Sequence, residues 1–288
     1  MSAADPNAPH PPARAHPREK MNWAAIRTVV AKDMRAVRRS KAIVLPMVLV
    51  PSLLLLVMPI SIGLFARSAP TDQVTTALRS PLVQNLVEPI LALPEREQIV
   101  VLVLGYLLSP LLLVIPLMVS AVLAADGFAG EKERRTLESL LHLPISDRDL
   151  FVAKVLGAFG PAVAITWVGS VVYLVVSNIV AWPVMERPFL PFAQWAVMMI
   201  WVAPAIALLA LGLLVIVSSK AKTTQEANQL GGAVILPLIF LAAAQASTLL
   251  LVPVPMVLLA GLLIWAVALG LVIVNARRFT RDRLASSS

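Results

Sequence analysis

The sequence predicts an all-α integral membrane protein with six transmembrane helices, an N-terminal interfacial helix and a short cytoplasmic helix between spans two and three. Three observations carry this. Of 288 residues, 59% are hydrophobic and 14% charged, with a mean hydropathy of +0.85, far from the balance of a water-soluble domain. Six apolar stretches, at about 42–66, 99–125, 155–182, 193–217, 231–251 and 255–275, approach or exceed the ~20 residues that a bilayer-crossing helix needs. Charge is also segregated: eleven charged residues lie between Asp126 and Lys154, flanked on both sides by apolar runs. In hydrocarbon each would cost roughly 2.5–3.5 kcal/mol, so this island stands in water.

The elements follow in chain order. Residues 1–20 hold Pro6, Pro9, Pro11, Pro12 and Pro17 among Ala, His and Arg, and show no apolar periodicity. They read as a disordered tail, and without the apolar core of a signal peptide the first span is expected to stay as an anchor. Over 21–41, Trp23, Ile26, Val30, Met34 and Val37 form one helical stripe, with Arg27, Lys32, Arg35, Arg38 and Arg39 largely on other sides. A helix of that pattern lies in the headgroup plane.

The six spans occupy 42–275, and 276–288 is a basic tail. Lys and Arg counting sets the orientation. The N-terminal region, the 126–154 loop, the 218–230 loop and the C-terminus collect 20 of the 24 basic residues; Arg67, Arg79, Arg96 and Arg187 fall on the other side. That asymmetry predicts both termini in the cytoplasm of a multi-pass protein of the cell (inner) membrane. The outer loop at 67–98, with Leu82, Leu86, Val87 and Ile90 at helical intervals, is too small for a folded capture domain. The run Leu251-Val252-Pro253-Val254-Pro255 reads as a tight hairpin or a shallow re-entrant turn at the outer face.

Within the spans, Pro46, Pro51, Pro59, Pro110, Pro116, Pro161, Pro204 and Pro237 are expected to act as kinks. Gly157-x-x-Gly160 and Gly231-Gly232 would allow close helix approach. Trp167, Trp182, Trp195, Trp201 and Trp265 are candidates for an interfacial belt. Ser109, Ser120, Thr166, Ser170, Asn178, Gln245, Ser247 and Thr248 are read as interhelical hydrogen-bonding groups before any role in lining a path.

In the charged island, Glu131 reaches Arg134 and Arg135, Arg134 reaches Glu138, and Glu138 reaches His142 at i,i+3 or i,i+4, while Leu137, Leu140 and Leu141 share another side. This is a short amphipathic helix at about 131–142. Pro144 cannot continue it, and Ser146 with Asp149 three residues on forms a capping box for the next helix. In the second inner loop, Lys220 and Lys222 precede another possible box, Thr223 with Glu226.

Glu131-Lys132-Glu133-Arg134-Arg135-Thr136-Leu137-Glu138-Ser139-Leu140-Leu141, then Pro144-Ile145-Ser146, Leu150 and Lys154, resembles the cytoplasmic signature of the type-2 permease family of ATP-binding-cassette transporters. The segment around Glu226-Ala227 running into 231–240 resembles the corresponding second loop of that family. The resemblance implies that 131–142 is a coupling helix docking on an ATPase subunit, with Glu131, Glu133, Arg134, Arg135, Thr136 and Glu138 as polar contacts. Leu137, Leu140 and Leu141 would be its packed side, and 21–41 an elbow helix bordering the ATPase. It also implies two permease chains, a homodimer or a heterodimer, over two ATPase copies that bind ATP and Mg, with no cofactor in this chain. The family usually has Gly before the Thr; Arg135 stands here, and favours helix over Gly by ~0.8–1 kcal/mol.

Chemistry elsewhere is sparse. No Gly-x-x-x-x-Gly-Lys-Ser/Thr, His-Glu-x-x-His or Gly-x-Ser-x-Gly occurs, so this chain carries none of the familiar phosphate-loop, metalloprotease or serine-hydrolase motifs. There are no cysteines, and His10, His16 and His142 lie outside the apolar runs, which excludes thiolate chemistry and bis-histidine haem in the membrane. The net charge of +8 would suggest nucleic acid in a soluble protein, but here the basic residues sit at a membrane face. The expected function is therefore a permease subunit of an exporter for a lipid-like or amphiphilic substrate, powered by a separate ATPase. Two rivals are a secondary transporter or channel, for which the spans lack midplane ionisable groups, and a membrane scaffold or sensor using the same charged loop.

Overall fold

Every regular element described by the structure, a computed structural model, is a helix, as expected where backbone groups must find their partners within the segment. The description covers residues 21–68, 90, 92–130, 145–220, 251–278, and 223, 225–226, 229–233, 236–237 and 239. The 131–144 segment, most of the outer loop and of the predicted 231–251 span, and both expected tails up to residue 20 and from 279 lie outside it.

Helix α1 is Trp23–Arg39, ended by Ser40 in an extended conformation. Helix α2 begins at Lys41 and runs through a π-helical stretch, Leu53–Val57, into Met58–Ser68. Helix α3 joins Glu95–Val100, π-helical Val101–Leu108, 3-10 Ser109–Leu113, Val114–Ala124 and π-helical Ala125–Gly130. Helix α4 is Asp147–Met185; α5 joins Ala193–Val197, π-helical Met198–Val202 and Ala203–Lys220; α6 is Val254–Arg278. Five of these, α2 to α6, are long and apolar enough to cross a membrane.

Proline explains three of the four π-helical stretches. A proline ring collides with the carbonyl four residues back, which is Leu55 for Pro59, Tyr106 for Pro110 and Ile200 for Pro204, each inside one of those stretches. Widening the ladder to i→i+5 moves the carbonyl aside and keeps the backbone bonded. Pro161, inside α4, is absorbed without such a break.

The 39 residues of α4 span about 58 Å at 1.5 Å per residue, well beyond a hydrocarbon core of ~30 Å. Its first two turns therefore project past the apolar slab: the helix starts at Asp147, after the expected Ser146 cap, and the apolar span expected at 155–182 lies within it. Likewise α3 begins at Glu95, ahead of the expected 99, and α6 continues to Arg278, into what the sequence suggested was tail.

The contacts give the directions. Leu55 lies against Gly169, and a Cβ at Gly63 would collide with Val180, so α2 and α4 run parallel. The pairs Trp201 with Gly261 and Gly212 with Leu271 make α5 and α6 parallel too. Helix α5 therefore ends and α6 begins at opposite ends of the bundle.

Helices α3 and α5 form the centre: 61% and 67% of their apolar windows are buried, against 17% for α6 and 28% for α2. Small residues explain α5, where Ala203, Ala205, Ala207 and Ala210 are fully buried and admit close neighbours. Ser120 of α3 donates to the Ala207 carbonyl at 3.2 Å, and Asn275 of α6 donates to that of Gly212 at 2.7 Å. Ser120 is thus the interhelical group that its residue type suggested. Thr166 and Ser170 instead donate to carbonyls of their own helices, while Ser109 donates to the Leu104 carbonyl of α3 and also bonds the Tyr173 side chain of α4.

Two further expectations change. A Cβ at Gly157 or Gly160 would meet nothing within 4 Å, so this pair does not mediate close approach; Gly261, against the Trp201 ring, and Gly212 do. Trp195 is buried, while the Trp201 and Trp265 rings meet at 5.8 Å, tilted by 44°, with the Trp265 indole donating to the Trp201 carbonyl. These three tryptophans pack helices, and the exposed Trp182 suits a belt better. Leu251 and Val252 form a short turn into α6, closed by the Met256 N–H on the Pro253 carbonyl at 2.9 Å.

At the end of the bundle away from α1, Glu186 terminates α4 in the left-handed region, at φ 50°. Asn178 then pins the following loop: its side-chain oxygen accepts from the N–H groups of Phe189 and Leu190, and its amide donates to the Leu190 carbonyl. Arg187 pairs with Glu97 of α3 at 2.7 Å.

Candidate functional site

The chemistry-bearing residues of the described chain gather where α1 meets the first turns of α4, beside the two stumps of the charged island. On α1 the buried stripe is Ile26 and Val29, with Val30, Asp33 and Val37 partly covered; Trp23 is exposed and takes no part. Ile26 and Val29 pack on Leu150 and Ala153 of α4. Arg27, Lys32, Arg35, Arg38 and Arg39 face outward, as the amphipathic pattern requires.

Asp33 falls on the buried stripe, and across from it Lys154 carries its ammonium into the interface. The Lys154 Nζ to Asp33 Oδ2 distance is 3.0 Å, with the lysine side chain 4% exposed and the aspartate 20%. Lys32 reaches the other carboxylate oxygen at 3.5 Å. A buried ammonium is tolerated only where it is paired, so this contact sets the register of α1 on α4.

The helix starts are interlocked. Ser146 caps α4 by accepting the Asp149 N–H at 3.1 Å, and Asn22 caps α1 by accepting the Ala25 N–H at 3.1 Å. The expected capping box is completed differently, however. The Asp149 carboxylate does not return to Ser146; it accepts the backbone N–H of Asn22 at 3.1 Å, across 127 residues of chain. One buried carboxylate thus serves two helix N-termini, where the peptide dipoles favour negative charge.

The third wall is the end of α3. A small cavity of about 120 Å³ is bounded by Asp33, Val37, Leu123, Asp126, Lys154 and Gly157. Gly157 is open here because the space beside it is this cavity. The joint therefore connects α1, the last turns of α3 and the first turns of α4. Among the described residues no group of three His, Asp or Glu side chains is placed to hold a metal ion.

Glu131, Glu133, Arg134, Arg135, Thr136, Leu137, Glu138, Leu140 and Leu141 lie outside the described residues, as does Lys222. Lys220 is the last residue of α5. Glu226 donates its N–H to Thr223 Oγ1 at 3.1 Å, the Thr half of the second expected box. Sequence reasoning missed Asp33, although a signal was present: it is the lone acid of α1 and follows the buried Val29 by four residues.

Such an arrangement defines a class: a multi-pass helical membrane protein with a buried polar junction of three helices at one end of the bundle. The chain belongs to the ABC-2 transporter family: the family model described as ABC-2 family transporter protein matches residues 27–252, from within α1 to the turn before α6. It is thus an ABC-type permease, the membrane-embedded part of a transporter, and the family implies association with an ATPase subunit. A comparison with curated proteins returns no match.

Proposed function

We propose that this chain is the transmembrane permease subunit of an ABC exporter. It would move a lipid-like or amphiphilic substrate across the cell membrane, using ATP bound with Mg and hydrolysed by a separate ATPase subunit. Two permease chains, identical or related, would sit over two ATPase copies, with the α1 end and both termini in the cytoplasm. The concentration of basic residues at that end supports this orientation. The end of α5 and the start of α6 at opposite ends of the bundle support a fifth of six spans near 231–251.

The observation that carries the reading is the clamp of α1 onto α4 through Lys154–Asp33 and Asn22–Asp149. The island at 131–142 is bonded to α3 on one side and, through Pro144 to Ser146, to α4 on the other. A push on it by closing ATPases would be delivered to α3, α4 and α1 as one body. A continuous helix of 39 residues then carries the movement to the opposite end, where Asn178 and the Arg187–Glu97 pair join α4 to the outer loop and α3.

The test is co-expression of the tagged chain with its candidate ATPase. Glu131→Ala and Glu138→Lys are expected to abolish association and ATP-driven transport while membrane insertion stays normal. Unimpaired transport in both variants would refute the docking role. Transport by the purified chain driven by an ion gradient alone would refute the permease reading.

A further inference from the structure

We propose that the groove between the first turns of α4 and the last turns of α6 is a binding site for one anionic phospholipid. It has a volume of about 640 Å³, within the ~300–1,000 Å³ range of small-molecule sites. Its floor is apolar: Phe151, Val155 and Leu156 from α4, with Val272 and Ile273 from α6. Arg148 and Arg277, both exposed, stand at the polar end of the same groove. A chain-shaped apolar trough under two cations matches an acyl chain joined to a phosphate.

The electrostatics point the same way. Among the described residues no acidic side chain lines the groove. Asp149 is buried and turned to Asn22 of α1. Among the described residues neither arginine has an ion-pair partner. Arg148 shares the first turn of α4 with Asp147 and Asp149, which already complement the helix dipole, so the attraction for an anion comes from the two guanidinium groups at the mouth of the groove. Arg277 lies in the last turn of α6, so both cations are at the α1 end of the bundle. From Arg148 to Leu156 the groove wall descends about 12 Å, the passage from headgroup level into the acyl region.

The test uses the full-length chain in mild detergent, titrated with equal amounts of phosphatidylglycerol and phosphatidylcholine and read by native mass spectrometry. One phosphatidylglycerol should be retained with roughly 30-fold preference, about fivefold for each arginine near the surface. Arg148→Gln with Arg277→Gln should reduce this to near parity, and Arg148→Lys with Arg277→Lys should keep most of it. Arg27→Gln with Arg38→Gln, on the exposed face of α1, should leave it unchanged; an equal loss there would show a general charge effect and overturn the site. Millimolar inorganic phosphate should not displace the lipid, and displacement would mean a free-anion site instead. Because the sequence has no cysteine, Val152→Cys gives a unique cross-linking handle; efficient cross-linking to a second copy in membranes would show protein covering the groove and overturn the proposal. No ATPase enters this test, so its outcome is independent of the exporter reading.

Discussion

Asp33→Ala should destabilise the joint more than removal of its partner does. The substitution strips the carboxylate 3.0 Å from an ammonium whose side chain is only 4% exposed. Removing one partner of a buried pair costs up to about 3–5 kcal/mol. The lower end applies here, since Asp33 is 20% exposed, Asp126 lines the same cavity and Lys154 keeps a further interaction. Lys154→Met instead removes the buried charge and keeps most of the apolar stem. It leaves Asp33 partly hydrated and next to Lys32 at 3.5 Å, so about 1 kcal/mol is expected. The double variant should fall nearer to Lys154→Met than to the sum, because the buried ammonium is gone. Denaturant unfolding in mild detergent, followed by tryptophan fluorescence, measures all three. An Asp33→Ala cost below 1 kcal/mol, or a Lys154→Met cost equal to it, would refute the claim that this pair fixes α1 on α4.

Two further substitutions test the packing. Gly261→Ala puts a methyl group into the Trp201 ring and should cost about 1–3 kcal/mol in the same unfolding assay, whereas Gly160→Ala, facing open space, should be neutral or gain up to ~1 kcal/mol from helix propensity. Glu186→Gly relieves a non-glycine residue held at φ 50° at the end of α4 and should stabilise by about 1 kcal/mol; a loss of stability would show that the Glu186 side chain makes a contact that outweighs the strain.

Much of this architecture was legible because bilayer insertion is a local criterion. A run of about 20 apolar residues declares its own fate, and the positions of lysine and arginine declare its direction, without any knowledge of neighbours. The start of α4 at Ser146 was readable for the same reason, since a cap depends on residues within one turn. What each polar residue bonds to was not legible in this way. Ser120 and Asn275 bridge helices while Thr166 and Ser170 turn back on their own, and only the rotation of each helix in the bundle separates these cases.

The glycines show the same division. Gly157-x-x-Gly160 has the spacing of a contact motif but faces a cavity or open space, whereas the unremarked Gly261 and Gly212 carry the α5–α6 approach. By itself, the sequence determined that this chain is a multi-pass helical permease with a polar island between its second and third spans. Only the tertiary structure decided that Asp149 leaves its own cap to bond Asn22, and that Lys154 finds Asp33 across 121 residues of chain. Those pairings depend on which faces of α1 and α4 come together, and helix rotation is a property of the packed bundle that no single segment encodes.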